Sequence, residues 1–471
     1  MLEKGQDIEL HIDRLGLDGM AVGRHDGLVC FVRNAVPGET VRATVARTRR
    51  KHVEAEAVEI LAPCDKRVQP RCRHFGTCGG CVWQHVAYDM QLREKQQFVV
   101  DAFERIGGFS GIQVLPIIGS GDEYFYRNKM EFSFSRQRWL TTEELRTGGE
   151  IEKRFGLGLH VPRRYDKVLD IEECLLQSEL SNAILNAVRE FCRAKQFTIY
   201  STETHDGYLR HLVIRQGVRT SDVMVNLVTT TDEPDVMREL SHVLVNRIPQ
   251  ITTFVNNITA RKSMVAVGDS EKVYHGPGYI EERLGKYAFR ISANSFFQTN
   301  TKQAERLYGV ARAMAELAPS DILFDLYCGT GTIALFLSDA VREVVGIDSV
   351  ESAIDDARRN AQINNVGNCR FFLGDLKERL TKDTAWLTGH PDVIVVDPPR
   401  SGLHPKVVEQ IAKLNPDRIV YVSCNPATQA RDARMFTTAG YELSRLQPVD
   451  MFPHTSHVEN VASFQKVQKS T

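Results

Sequence analysis

This 471-residue sequence has little that would tie it to a membrane or to a charged surface at large. No apolar run approaches the about 18 residues of a membrane span. The first residues, Met1-Leu2-Glu3-Lys4-Gly5-Gln6-Asp7, contain no apolar core of a secretory signal, so a cytoplasmic location is expected. Neither sign of charge dominates. Lys plus Arg number 59 against 60 Asp plus Glu, a net charge of −1. No global field draws the chain to nucleic acid, and any basic surface must be local. In a reducing cytosol the ten cysteines are not expected to form disulfides; metal binding or catalysis is the expectation. What is present is the composition of a globular protein, 42% hydrophobic and 25% charged, too long for one core. Two to four domains are expected.

Three regions follow. Residues 1–62 alternate polar and apolar residues in short runs, such as Asp7-Ile8-Glu9-Leu10-His11-Ile12 and Thr40-Val41-Arg42-Ala43-Thr44-Val45, between Gly16, Gly19, Gly23, Gly27, Pro37 and Gly38. That is the pattern of a small OB-like β-barrel. A basic stretch, Arg42, Arg47, Arg49, Arg50, Lys51 and His52, follows its third strand. Such a run ordinarily solvates a surface; on this fold it can also meet nucleic-acid phosphates. Residues 63–290 form a mixed α/β region. It opens on a cysteine cluster, continues into a helix over about 88–106 stopped by Gly107-Gly108, and includes a polar, mobile loop over 141–150 and a helix over 180–194. Residues 291–471 alternate helices with short, continuously apolar strands, among them 322–326, 343–347, 392–396 and 418–422. This is a Rossmann-like domain with a parallel-rich sheet, whose ligands bind at the carboxyl ends of the strands. The fold class is α/β multidomain.

The motifs of the third region fall at those strand ends. Asp325-Leu326-Tyr327-Cys328-Gly329-Thr330-Gly331-Thr332 supplies a tight glycine turn. It lacks the third glycine of the dinucleotide fingerprint, which argues against nicotinamide or flavin. The next strand ends in Asp348, an acid placed to accept both hydroxyls of a ribose. A turn and an acid without a pyrophosphate cradle fit S-adenosylmethionine. Asp375, after Leu373-Gly374, ends a third strand and can meet the adenine. In Val396-Asp397-Pro398-Pro399-Arg400, two prolines end sheet pairing and hold Asp397 at a strand end, where an ionised carboxylate can read the N3–H of uracil.

Cys424 stands at the fourth strand end, in Ser423-Cys424-Asn425-Pro426. A lone cysteine is more often a buried thiol. Beside a methyl-donor pocket it has a chemical use: a thiolate added at pyrimidine carbon 6 makes carbon 5 nucleophilic enough to take a methyl group. That scheme also needs a base for the carbon-5 proton, and His454, His457 and Glu459 are the candidates. In the second region Cys72, Cys78 and Cys81 form C-x5-C-x2-C, and Cys174 can complete a tetrahedral thiolate set, with Cys64 as its rival. Zinc and an iron–sulfur cluster both suit that set. Cys30, Cys192, Cys328 and Cys369 are read as packing residues.

Ser-Cys-Asn-Pro, Asp-Pro-Pro-Arg-x-Gly, Phe-Phe-Gln and Met-Phe-Pro-His-Thr-x-His-Val-Glu together resemble the RNA uridine-C5 methyltransferases over essentially the whole chain. The resemblance implies that Cys424 is the nucleophile and Glu459 the general base. It places Gln298, Tyr327, Asp348 and Asp397 in the cofactor and base pocket, with Thr332 and Asp375 as weaker matches. The chain departs from the family at Asp348, where Glu is usual, and at Ser292-Ala293-Asn294-Ser295, which replaces Ser-Pro-x-Ser. Cys78-Gly79-Gly80-Cys81-x-x-Gln84-His85 is similar to the iron–sulfur loop of the ribosomal-RNA branch, which implies a [4Fe–4S] cluster on Cys72, Cys78, Cys81 and Cys174. The barrel resembles the TRAM domain, an RNA-binding module. Barrel and cluster together imply large-subunit ribosomal RNA as substrate and partner, reached by base flipping. The alternatives are a transfer-RNA uridine methyltransferase and a non-catalytic RNA-binding assembly factor. Cytosine methylation is disfavoured by the expected contact of Asp397 with N3–H.

Overall fold

The computed structural model describes residues 2–16, 18–147, 151–162, 164–380 and 389–467. Five strands, β1 (Asp7–Leu15), β2 (Ala21–His25), β3 (Leu28–Arg33), β4 (Thr40–Thr48) and β5 (His52–Ala62), close a barrel in the order β1-β2-β3-β5-β4. The alternation in β1 sends Ile8, Leu10 and Ile12 inward. Trp83 and Phe98 complete this core from outside the barrel. Phe98 lies on helix α1 (Tyr88–Ala102), which runs into a π-helical turn, Phe103–Gly107, and stops at Gly108 with φ +72°.

The middle of the chain is an eight-stranded sheet. Its strands are β6 (Lys129–Ser135), β7 (Arg138–Trp139), β8 (Gly156–Val161), β9 (Arg164–Asp170), β10 (Leu209–Gln216), β11 (Val223–Thr229), β12 (Thr253–Ile258) and β13 (Ser270–His275). They lie in the order β13-β12-β11-β10-β6-β8-β9-β7. The expected loop at 141–150 contains a short helix, α2 (Thr142–Thr147). The Glu144 carboxylate accepts the Thr141 N–H at 2.9 Å while the Thr141 hydroxyl accepts the Glu144 N–H at 3.3 Å, a reciprocal cap that the polar composition concealed. Residues 148–150 lie outside the described residues. Helices α3 (Glu179–Ala194) and α4 (Pro234–Arg247) cover one face, burying Ile184, Leu185, Leu240 and Leu244 with Phe132 and Leu212.

The last part holds a hairpin, β14 (Tyr279–Leu284) and β15 (Tyr287–Ser292), and then a seven-stranded sheet. Helix α5 (Thr301–Ala315) precedes β16 (Ile322–Leu326), α6 (Thr332–Leu337), β17 (Glu343–Asp348), α7 (Glu351–Ile363), β18 (Cys369–Leu373) and α8 (Leu376–Arg379). There follow β19 (Val393–Val396), α9 (Pro405–Leu414), β20 (Arg418–Ser423), α10 (Pro426–Thr438), β21 (Tyr441–Val449) and β22 (Glu459–Lys466). The order is β18-β17-β16-β19-β20-β22-β21, with β22 antiparallel to both neighbours. Apolar clusters lie on both faces of the sheet, which is why its strands read as unbroken apolar runs.

Two features differ from the sequence expectation. Ile280, Leu284, Phe289 and Ile291 share one core with Leu323 and Leu335, so the hairpin packs with the last domain although it begins before residue 291. The segment after α1 also crosses over. Val114 and Ile118 bridge in parallel to Leu446 and Val449 and extend the sheet beyond its edge strand β21.

Candidate active site

The strand order reverses around β16, and side chains gather at the carboxyl ends on either side of that point. β20 ends at Ser423, and Pro426 opens α10. Between them Asn425 caps the helix, its side-chain oxygen accepting the Ala427 N–H at 3.1 Å. Its amide donates to the Arg400 carbonyl at 3.0 Å. Cys424 is therefore fixed on a sharp strand-to-helix turn, tied to the Pro399-Arg400 loop. Ser423 pairs with Asn460, so Cys424 falls beside Glu459 at the start of β22.

The electrostatics confirm the neighbourhood. Glu459 is 5% exposed; burial and the Asp397 charge push its carboxyl up to about 8, while Arg400 pulls it down. Burial, Glu459 and Asp397 push the Cys424 thiol up to about 11, again opposed by Arg400. Burial pushes Asp397 up to about 7. The other candidate bases are engaged by other partners. His454 is buried against α1, its ring beside the Gln91 amide at 3.2 Å. The His457 ring meets the Arg400 guanidinium at 3.1 Å.

The glycine turn follows β16. Gly329 and Gly331 have φ of +53° and +78°, and Tyr327 is held at +70°, a left-handed conformation unusual for a tyrosine. Asp348 spans the turn: its carboxylate accepts the Gly329 N–H and the Val350 N–H, both at 2.9 Å. This acid thus shapes the turn. Asp375 caps α8 by accepting the Lys377 N–H at 2.8 Å, which commits one of its oxygens. Thr332 begins α6, its hydroxyl 3.3 Å from that of the buried Tyr308. The Gln298 main-chain carbonyl accepts a hydrogen bond from the Asn128 side-chain amide at 2.8 Å, which ties it to the residue just before β6.

The second cysteine set is a separate chamber. Cys72, Cys78, Cys81 and Cys174 line one cavity of about 360 Å³, with Thr299 and Thr455 on its wall. Burial pushes Cys78 and Cys81 up to about 12 and also raises Cys72 and Cys174. Cys64 instead packs against the barrel core. Among the described residues no three His, Cys, Asp or Glu side chains are drawn together into a ready-made metal-ion site. The four thiols fit a thiolate-bound metal group by donor chemistry and by facing one common space. On the barrel, Arg42 pairs with Glu9 and Glu59, whereas Arg47, Arg49, Arg50 and Lys51 are exposed and form no ion pair among the described residues.

Three site residues escaped the sequence reading. Asp325 is fully buried, neither oxygen has a hydrogen-bond partner among the described residues, and burial with the Asp397 charge pushes it up to about 8. Its position at the end of an apolar strand was the available signal. Arg400 is the cation facing Cys424 and Glu459. Phe296, next but one to Gln298, is 70% exposed, a large ring left in water.

Residues 256–467 match the family described as tRNA (Uracil-5-)-methyltransferase, and residues 2–58 match the TRAM domain. A protein of Chlorobaculum tepidum, described as an "Uncharacterized RNA methyltransferase", is 43% identical over 470 residues, covering 99% of this chain and 97% of its own. A protein of Porphyromonas gingivalis with the same description is 42% identical over 459 residues, 96% of this chain and 98% of its own. Among solved structures, the Pyrococcus abyssi tRNA (uracil-54, C5)-methyltransferase in complex with S-adenosyl-L-homocysteine is 31% identical with a TM-score of 0.73, covering 97% of this chain and 99% of that one.

Proposed function

This chain belongs to the RNA uracil-C5 methyltransferase family, and we propose that it methylates a uridine of large-subunit ribosomal RNA through a covalent Cys424 intermediate. The observation that carries the mechanism is the grouping of Cys424, Glu459, Asp397 and Arg400 along one edge of the sheet, after β19 and β20 and at the start of β22. S-adenosylmethionine supplies an electrophilic methyl group and a positive charge. Cys424, once deprotonated, forms a bond from Sγ to carbon 6, and the electron pair passes to oxygen 4. The pair returns from oxygen 4 and carbon 5 takes the methyl group, the donor's sulfonium leaving as the neutral thioether of S-adenosylhomocysteine. Glu459, as a carboxylate, removes the carbon-5 proton; the electron pair re-forms the 5,6 double bond and expels the Cys424 thiolate. Arg400 favours both ionised forms. Asp397 selects the base by accepting N3–H, and Gln298, Tyr327, Asp348, Asp375 and Thr332 surround the cofactor.

Cys72, Cys78, Cys81 and Cys174 would hold a [4Fe–4S] cluster, which on this reading serves folding or RNA docking; the supporting observation is four thiols around one cavity. The unpaired cations of the barrel and the exposed Phe296 suit phosphate contact and base stacking. A second reading, transfer RNA as substrate, is favoured by the full-length likeness to the Pyrococcus abyssi enzyme. The test uses anaerobically purified protein, S-adenosylmethionine and 5-fluorouridine-substituted RNA on a denaturing gel. Fluorine blocks proton removal, so a shifted band with ribosomal RNA, absent in Cys424→Ala, is expected. A band with transfer RNA alone overturns the substrate, and no band with either overturns the mechanism.

A further inference from the structure

The loop from Asp450 to Val458 joins β21 to β22 and delivers Glu459 to the cleft. It has no regular structure of its own, yet it is held at several points. Tyr88, Gln91 and Lys95 share one face of α1 by their three- and four-residue spacing. The Lys95 ammonium, fully buried, donates to the equally buried Asp450 carboxylate at 2.6 Å and to the Phe452 carbonyl at 3.0 Å. The Tyr88 hydroxyl donates to the other Asp450 oxygen at 2.8 Å. One turn away the Gln91 carbonyl oxygen accepts the His454 N–H at 2.9 Å. From the cysteine loop, the N–H groups of Val82 and Trp83, next after Cys81, both donate to the His454 carbonyl, at 2.9 and 3.1 Å. Thr455 of the same loop lines the cysteine cavity.

We propose that Lys95 and Gln91 are positioning residues for Glu459, and that α1 with the cysteine loop forms a brace that aims the base at carbon 5. The inference rests on the proposed role of Glu459. A fully buried lysine–aspartate pair is an expensive way to fasten a loop that apolar side chains could also fasten. What the pair adds is direction: two charged groups with fixed hydrogen-bond geometry leave the loop one position rather than several. A proton-abstracting group tolerates little misplacement, since an error of about 1 Å can cost about 100-fold in rate. The step that should feel the brace is the proton removal by Glu459. Attack by Cys424 depends on the Asn425 turn and its tie to the Arg400 carbonyl; Lys95 and Gln91 bond neither, and the loop reaches that side only through the His457 ring, 3.1 Å from the Arg400 guanidinium.

The test follows two variants, Lys95→Met and Gln91→Met, through one turnover with S-adenosylmethionine and RNA tritiated at carbon 5 of uridine. In the folded Lys95→Met protein, covalent adduct should form within threefold of the parent rate, tritium release should slow at least tenfold, and methylated adduct should accumulate. Gln91→Met should shift the same ratio by about threefold. Amide exchange across 451–458 should quicken in both, with that of β16 and β19 unchanged. Tritium release at the parent rate in either folded variant overturns the proposal. So does a matched loss of attack and release, which marks a general defect. If Lys95→Met fails to fold, Gln91→Met decides by the same ratio. If the parent itself forms no adduct, the proposed mechanism falls, and the exchange pattern alone then judges the brace.

Discussion

The cleft around Cys424 and the cavity around Cys78 are built on the same physical predicament. Each crowds groups that repel one another when ionised, and in each burial raises their affinity for protons. The difference lies in the mixture. In the cleft the groups are unlike, and their proton affinities are staggered: Asp397 at about 7, Glu459 at about 8 and Cys424 at about 11, with Arg400 opposing the last two. Staggered affinities let protons pass in a set order, which is what acid–base chemistry requires. In the cavity the groups are four thiols, with Cys78 and Cys81 level at about 12. Like groups have no order to impose. They suit a ligand set that surrenders its protons to a metal. The cleft thus staggers unlike groups, and the cavity gathers like ones.

Experiments can break or sharpen that contrast. The largest expected effect is that of Cys424→Ala, which should lower turnover by about 10⁴-fold or more while cofactor binding, followed by calorimetry, stays within about twofold. Turnover within about tenfold of the parent would place the cleft thiol with the inert ones. Next, Glu459→Gln should slow adduct release by about 100-fold or more. In the parent, release should climb as pH passes through about 8, because the base must be ionised, and that rise should vanish in the variant.

A smaller effect is expected for Cys78→Ala. Metal content after anaerobic purification should fall, and stability by about 3 kcal/mol, read from denaturation with and without a chelator. A parent indifferent to the chelator and free of metal would end the comparison. The smallest concerns Asp325. Its folded-state affinity is raised from 3.8 to about 8, so the folded state binds the proton more tightly and stability falls as pH rises from about 4 to 8. The ligand-free protein should melt lower at pH 8.5 than at pH 5.5. Asp325→Asn should recover about 1 kcal/mol of that loss at the higher pH, read from melting curves.

Much of the last domain was legible because a parallel sheet covered on both faces writes its strands as unbroken apolar runs and places its chemistry where those runs end. Asp348, Asp397 and Cys424 were found that way. The central sheet was far less legible. β13, Ser-Glu-Lys-Val-Tyr-His, is mostly polar and exposed, and β7 is two residues long, so neither carries a periodicity to detect. The link between Lys95 and Asp450 spans 355 residues and leaves no mark on either neighbourhood. Lys95 reads as an ordinary helix-surface lysine until the fold buries it. Arg400 was visible as a residue, but its part in the cleft depends on a loop geometry fixed by Asn425 and by Thr428, which both donate to its carbonyl.

The parallel bridges of Val114 and Ile118 to β21 have a practical consequence for anyone dividing this protein. The Leu115 and Ile118 N–H groups donate to the carbonyls of Leu446 and Pro448, at 2.8 and 3.0 Å, and occupy an edge that would otherwise be free to pair. A fragment beginning near residue 291 would lose that cover, the core residues Ile280, Leu284 and Phe289, and the lysine that pairs with Asp450. It would expose an open strand and an unpaired internal carboxylate at once, the makings of inclusion bodies rather than of a minimal enzyme.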